Sequence, residues 1–306
     1  MRVALQPAMR GYTLVELLIG LLLGAIATAG TLSAYAHGRA SYVTQEGINR
    51  LSERAQYVLS ALEADLQLAG YYGLQGSAQL RIGTVPASAE ACGSGLATRL
   101  YRPIEVTDNA YSLACPPQGG GVVAGTDALT IRRSSAQSAQ PTAGRLQLLT
   151  SLAAGDTGQL LGNGALPPGV VLSAGQTELR DLLVRHYYVA RQADGSTAAR
   201  GEPALRVKSL TRVGTAPTFV DTEVMPGVED LQVSLGYLAA VPGGAPVLRF
   251  ITPDAPPPSR TLVAVQLSLR LRADATDPHY RDPQYGDAWR RLQVTRSYAL
   301  RNPVQP

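Results

Sequence analysis

The chain has 306 residues, 45% of them hydrophobic and 16% charged, with a formal net charge of +4. That apolar share supports a packed core in one large domain or two small ones, and 31 Gly and 21 Pro are too few for a low-complexity protein. Arginine supplies nearly all the positive charge, Lys208 being the sole lysine. With no block of like charges and no basic stripe interleaved with aromatics, nucleic acid is not expected as a partner. Two cysteines, Cys92 and Cys115, cannot build a disulfide scaffold and are not spaced as a zinc site.

Residues 1–11 carry Arg2 and Arg10 and no acid. From Leu17 to Tyr35 no residue is charged, a run close to the ~20 residues that cross a bilayer as a helix. Its Leu, Ala and Gly favour a membrane helix over a strand. The basic residues before it predict an N-terminus inside, although Arg39 and Arg50 beyond it reduce the asymmetry.

Glu16 heads this apolar run. An acid at membrane depth costs roughly 2.5–3.5 kcal/mol even on insertion scales and marks a specific partner. One reading places Glu16 at the interface, reaching water. The sharper one pairs it with a cation of matching depth, such as the new amine that a cut just before Tyr12 would create.

Beyond the run, Ile48, Leu51, Ala55, Val58, Leu59, Leu62, Leu66 and Ala69 recur at intervals of three and four, with Arg50, Glu53, Arg54, Gln56, Glu63 and Asp65 mainly between them. This predicts a one-sided helix. No proline falls between Tyr12 and Ala69, and Gly70 is the predicted stop. One helix over that stretch would be ~87 Å long, with Gly38 and Gly47 as places to bend.

The string RGYTLVELLIG, Arg10 to Gly20, resembles the class III signal of type IV pilins and pseudopilins. The resemblance implies a leader ending in Gly11, a prepilin peptidase that cuts after it, N-methylation of Tyr12, and an assembly charge at Glu16. Tyr stands where the family more often has Phe. The competing reading is a conventional secretory signal cut after Ala34-Tyr35-Ala36.

After Gly70 short β-like runs are divided by Gly, Pro, Ser and Asn. Predicted strands are Ala128–Arg133, Leu146–Leu149, Val170–Ser173, Leu182–Ala190, Leu205–Leu210, Leu231–Tyr237, Leu262–Leu271 and Gln293–Leu300. Alternation is clearest from Val263 to Arg272, where Val263, Val265, Leu267, Leu269 and Leu271 face one way. The last strand is its natural partner across the Asp274–Ala288 loop. Pro116-Pro117, Pro167-Pro168 and Pro256-Pro257-Pro258 mark surface loops. The predicted fold class is α+β: a long N-terminal helix, transmembrane in its first half, packed on a mostly antiparallel β-sheet head. The expected divisions are a cleaved leader 1–11, a transmembrane and filament-core helix 12–36, an amphipathic continuation 37–70 and a β-rich head 71–306.

In a periplasmic head the oxidising compartment would make a Cys92–Cys115 disulfide the default, worth roughly 3 kcal/mol by loop closure; two separate thiols are the alternative. Ala55–Leu74, Pro226–Tyr237 and Trp289–Asn302 further resemble PilW-type minor pilins, although Leu74 stands where that group often has a cysteine.

No catalytic constellation emerges. His37, His186 and His279 are far apart and in no metal spacing. Ser94 in CGSGL lacks the glycine that a nucleophile elbow needs, and Gly119-Gly120-Gly121 and Gly162-Asn163-Gly164 lack the completion of a phosphate loop. Asp274, Asp277, Asp282 and Asp287 share one loop, but neighbouring Arg281, Arg290 and Arg291 favour ion pairs over a hard cation. No metal and no cofactor are expected.

The reading is therefore a non-enzymatic minor type IV pilin of the PilW kind, anchored in the inner membrane with a periplasmic head and carried to a surface pilus after assembly. The resemblance implies prepilin peptidase, other minor pilins, the major pilin and the inner-membrane assembly platform as partners, with a role in priming pili near the tip and a possible tip adhesin. The alternatives are a J-type pseudopilin of type II secretion and a membrane-anchored periplasmic adhesin or enzyme.

Overall fold

The computed structural model describes residues 12–76, 79–153, 156–196, 201–257 and 261–304. The expected leader 1–11 lies outside them. The chain divides into two units, Met1–Asn49 and Arg50–Pro306, and one helix, α1 (Leu14–Gln67), runs through the boundary. Neither Gly38 nor Gly47 interrupts it. In the first unit the described large apolar side chains are exposed, from Leu14 to Val43.

In the second unit the apolar stripe of α1 does what its spacing predicts. Leu51, Ala55, Val58, Leu59, Leu62 and Leu66 are buried at positions three and four apart. The helix ends at Gln67, and Gly70 follows in a left-handed conformation with φ +75°. There its N–H donates to the carbonyl of Arg132 at 3.1 Å, handing the chain to the sheet.

Among the described residues twelve strands follow, in two sheets. The first holds eight: β1 (Leu80–Ile82), β2 (Ile104–Thr107), β3 (Ala128–Ser134), β4 (Gln147–Ser151), β5 (Gly158–Leu161), β6 (Thr177–Ala190), β7 (Ala204–Val213) and β8 (Ala216–Pro226). Their order is β1-β5-β4-β6-β3-β2, with β7 joined to β6 and β8. The fourteen-residue β6 is the organiser: its first half pairs β4, its second half pairs β7, and β3 runs along its other edge. Among the described strands only β1 and β5 pair in parallel. The second sheet orders β10 (Val247–Ile251), β9 (Val228–Ala239), β11 (Leu262–Thr276) and β12 (Trp289–Val304), all antiparallel. The α+β expectation of a long helix on mostly antiparallel structure holds, with the β part split in two.

One core joins all three layers. Val58, Leu59, Leu62 and Leu66 of α1 share it with Leu129 and Ile131 of β3, Tyr187 and Val189 of β6, Leu231 and Val233 of β9 and Leu267 and Leu269 of β11. Burying a side chain of this size contributes roughly 1.5–3 kcal/mol, so the second half of α1 is held by packing.

Two sequence expectations need correction. Val170–Ser173 is not a strand; only Ser173 forms an isolated bridge, to Thr177, because Pro167-Pro168-Gly169 turns the chain and leaves Val171 exposed. Val263 is not in the core row of β11. The pairing skips it between Leu262 and Ala264 on both flanks, so Leu262 takes the inward place and the parity resumes at Val265. Strands β1, β2, β5, β8 and β10 are additional to those expected from sequence.

Candidate functional site: the head of the apolar helix

Tyr12 and Thr13 precede α1 in non-helical conformation. A helix start leaves backbone N–H groups without partners, and Thr13 and Glu16 supply them reciprocally. The Glu16 N–H donates to Oγ1 of Thr13 at 3.3 Å, while Oε2 of Glu16 accepts from the backbone N–H and from the hydroxyl of Thr13, both at 2.9 Å. This is a capping box of the T-x-x-E kind. Sequence reasoning took Glu16 either as an interfacial acid reaching water or as a partner for an outside cation and missed its local role, although the spacing of TLVE carries the signal. Both contacts fall on Oε2, so the acid is held at the helix head, four residues from Tyr12. Gly11 lies outside the described residues.

The surroundings are apolar and uncovered by the chain. Leu14, Val15, Leu17, Leu18, Leu21, Leu22, Leu23 and Ile26 are all more than half exposed. The helix is long and apolar enough to cross a membrane, with a mean hydropathy of 2.0 over its best window. Further along, Thr28 and Thr31 return their hydroxyls to the carbonyls of Gly24 and Thr28, and His37 Nδ1 lies 2.7 Å from the Ser33 carbonyl. Such back-bonding hides polar groups inside the helix.

The other residues singled out in the sequence do not assemble into a reaction centre. His186, on β6, is buried with Nδ1 2.9 Å from the Thr130 hydroxyl. Burial, then the charges of Lys208 and Arg132, push its pKa down to about 3, so it stands neutral. His279 is exposed, its backbone N–H donating to Asp277.

The acidic loop is a set of arginine pairs. Asp277 meets Arg290 at 2.8 Å, Asp282 meets Arg291 at 3.2 Å, Asp287 meets Arg291 at 2.7 Å, and Asp274 meets Arg54 at 3.3 Å. The hydrogen bond from Arg291 holds Asp287 at a pKa of about 2. Among the described residues no group of three or more His, Cys, Asp or Glu side chains is placed to hold a metal. A cavity of about 630 Å³ beside β1 and β5 is walled by Val85, Pro86, Leu160, Leu161 and Leu166, and no lining residue titrates. Its lining holds no carboxylate, amine or imidazole.

Cys92 and Cys115 are joined at 2.01 Å. Sequence reasoning also missed the charged groups buried inside the head. Asp65 of α1 is 1% exposed, and Asp221 of β8 accepts from Lys208, Tyr188 and Arg206. Burial works to raise the pKa of Asp221, but those three hydrogen bonds outweigh it and the net shift is downward.

Comparison with known proteins bears on the first unit. A family profile described as the prokaryotic N-terminal methylation motif matches residues 7–32, which include Gly11, Tyr12, Thr13 and Glu16. No curated protein matches the chain. Among solved structures, a type IV-like pilin from Thermus thermophilus is similar at 13% identity and a TM-score of 0.35, over 84% of this chain and 99% of that one.

Proposed function

We propose that this chain is a structural subunit of a type IV pilus-like fibre, processed at its N-terminus and built in through its apolar helix. The observation that supports this most is the methylation motif at residues 7–32, in register with a capped, uncovered apolar helix headed by Glu16. Membrane anchoring of the precursor follows from the same helix, with the second unit as a head on the far side of the inner membrane.

The steps follow from elementary electrostatics. A prepilin peptidase cuts between Gly11 and Tyr12 and methylates the new amine, which stays cationic. In apolar surroundings the Glu16 carboxylate then meets the Tyr12 amine of an adjacent subunit. Pairing compensates for the desolvation that either charge would suffer alone. The exposed leucines of neighbouring helices bury one another as the fibre forms. The finer assignment within this reading is a PilW-type minor pilin that primes assembly with other minor pilins near the tip. Its head residues serve packing and not catalysis.

The test is intact-mass and N-terminal peptide mass spectrometry of the protein isolated from its native envelope. The expected species begins at Tyr12 and carries one added methyl group. A native chain that begins at His37, or that retains residues 1–11 in an assembled fibre, would overturn the proposal.

A further inference from the structure

The second unit buries a primary amine. Lys208, on β7, is 5% exposed. Its ammonium donates to Asp221 at 2.8 Å and to the carbonyl of Pro116 at 3.0 Å. Asp221 also takes the Tyr188 hydroxyl at 2.6 Å, and His186 stands beside that tyrosine. These residues lie on the face of the first sheet turned away from the core that holds Tyr187 and Val189. What covers them is the irregular segment 108–121 between β2 and β3.

That cover is lightly held. Its own apolar cluster consists of Ala128, Tyr188 and Ala190, with Tyr111 and Val122 packed against them. The Tyr111 ring lies edge-on to His186 and Tyr188 at 5.5 and 5.2 Å. The far end of the segment is tied to the end of β6, where the N–H groups of Gln192 and Arg191 donate to Gly119 and Gly121. The near part is held by one covalent bond and a few polar contacts: the Asn109 N–H donates to Asp127 at 2.9 Å, the Gln118 N–H donates to the Tyr188 hydroxyl at 2.9 Å, and the Pro116 carbonyl takes Lys208. Cys115 is joined to Cys92, Ala114 N–H donates to the Cys92 carbonyl at 2.9 Å, and the Tyr111 hydroxyl donates to the Cys115 carbonyl at 2.8 Å. The main core, which joins α1 to both sheets, draws on this stretch only at its margins, through Val106 and Val123.

We propose that the Cys92–Cys115 bond is a redox-sensitive latch: its reduction frees residues 108–118 and uncovers Lys208 and Asp221, while the core around α1 stays folded. A segment with few buried apolar contacts opens at lower free energy than the core, and a cross-link across it removes most of its open states. The chemistry balances with a dithiol as reductant. Its thiolate attacks the half-buried Cys115 sulfur and the S–S bond breaks. Two electrons pass to the protein, two protons complete the thiols, and the dithiol becomes a cyclic disulfide.

Because Lys208 is the only lysine, an amine-reactive ester reads the latch directly, with the α-amine as internal control. The full chain, folded and oxidised in detergent, is treated with N-hydroxysuccinimide acetate before and after dithiothreitol, and free thiols are counted by alkylation. Acetylation at Lys208 is expected to rise roughly ten-fold or more on reduction, with the α-amine unchanged and amide exchange in Leu51–Leu66 still slow. Reoxidation restores the slow rate. Three results would each overturn the latch: unchanged Lys208 labelling once both thiols are alkylated, equal labelling before reduction, or loss of protection in α1 together with the segment. A Cys92→Ser/Cys115→Ser chain, if it folds, is expected to label as the reduced protein does.

Discussion

Tyr187 of β6 donates its phenolic proton to Oδ2 of Asp65 at 2.6 Å, so that the last turn of α1 is bonded to the middle of the first sheet. Arg133 of β3 adds bonds at 2.8 and 2.9 Å and Arg185 adds bonds at 2.8 and 3.0 Å to the same carboxylate. A helix packed by hydrophobic contact alone can slide or rotate; this buried, multiply bonded acid fixes its register.

Removing that acid leaves two guanidinium groups without their partner, Arg133 nearly buried at 11% exposure and Arg185 part-exposed at 37%. Asp65→Ala is expected to cost about 3–5 kcal/mol of stability, and Tyr187→Phe about 1.5–3 kcal/mol, since the arginines keep the charge satisfied. Urea unfolding followed by circular dichroism measures both. Equal effects would show that the arginines do not hold Asp65.

Histidine sets an acid limit on the head. His186 has a folded pKa of about 3 against an ordinary 6.5, so the folded form binds fewer protons than the unfolded form below neutrality. Its contribution is present in full above pH 6.5 and is lost as the pH falls from there toward 3, by an amount on the order of a few kcal/mol. The cations facing it are Lys208 and Arg132. Of its other neighbours, Tyr111 and Tyr188 are pushed up by burial and Asp221 is held low by its hydrogen bonds, so these three stay clear of the window. The urea midpoint should therefore fall between about pH 6.5 and 4.5 in the wild type, and His186→Gln should flatten the slope.

Calcium should do nothing to the loop between β11 and β12. Its aspartates Asp277, Asp282 and Asp287 are engaged by Arg290 and Arg291, and Asp274, which the structure places in β11 and not in the loop expected from sequence, is engaged by Arg54; a cation would have to displace those pairs. Millimolar Ca²⁺, or a chelator, is expected to move the melting temperature by less than ~1 °C. A dose-dependent rise would reveal a site.

At the helix head, Gly11→Leu should leave unprocessed precursor in the membrane, visible as a mass shift on immunoblots. Glu16→Ala should preserve insertion, since the apolar run is intact, yet lower incorporation into sheared fibres. Thr13→Ala separates the two roles of Glu16. It removes the capping bonds, worth about 0.5–2 kcal/mol, and keeps the charge, so incorporation should fall less than in Glu16→Ala.

Much of this was legible in order along the chain. The uncharged run from Leu17 to Tyr35, the three-and-four stripe from Leu51 to Leu66, the stop at Gly70 and the alternation from Val265 to Leu271 are local patterns, and local patterns report periodicity directly. The strands that escaped notice are short or mixed. Leu80–Ile82 and Val247–Ile251 are edge strands with one neighbour each, mostly exposed and without a clean alternation of buried and exposed residues. The bulge at Val263 depends on how β9 and β12 register against β11, a property of three strands and not of one.

The sequence by itself determined where the helix runs, which of its faces is apolar in each half, and where the acid stands at its head. Those follow from hydropathy and spacing within a few turns. Only the tertiary structure decided that Asp65 meets Arg185 across 120 residues, that Lys208 is buried under residues 108–121, and that the acidic loop is taken up by arginines. A buried charge is tolerable only where a partner distant in sequence arrives to solvate it. Spacing along the chain carries no record of that arrival.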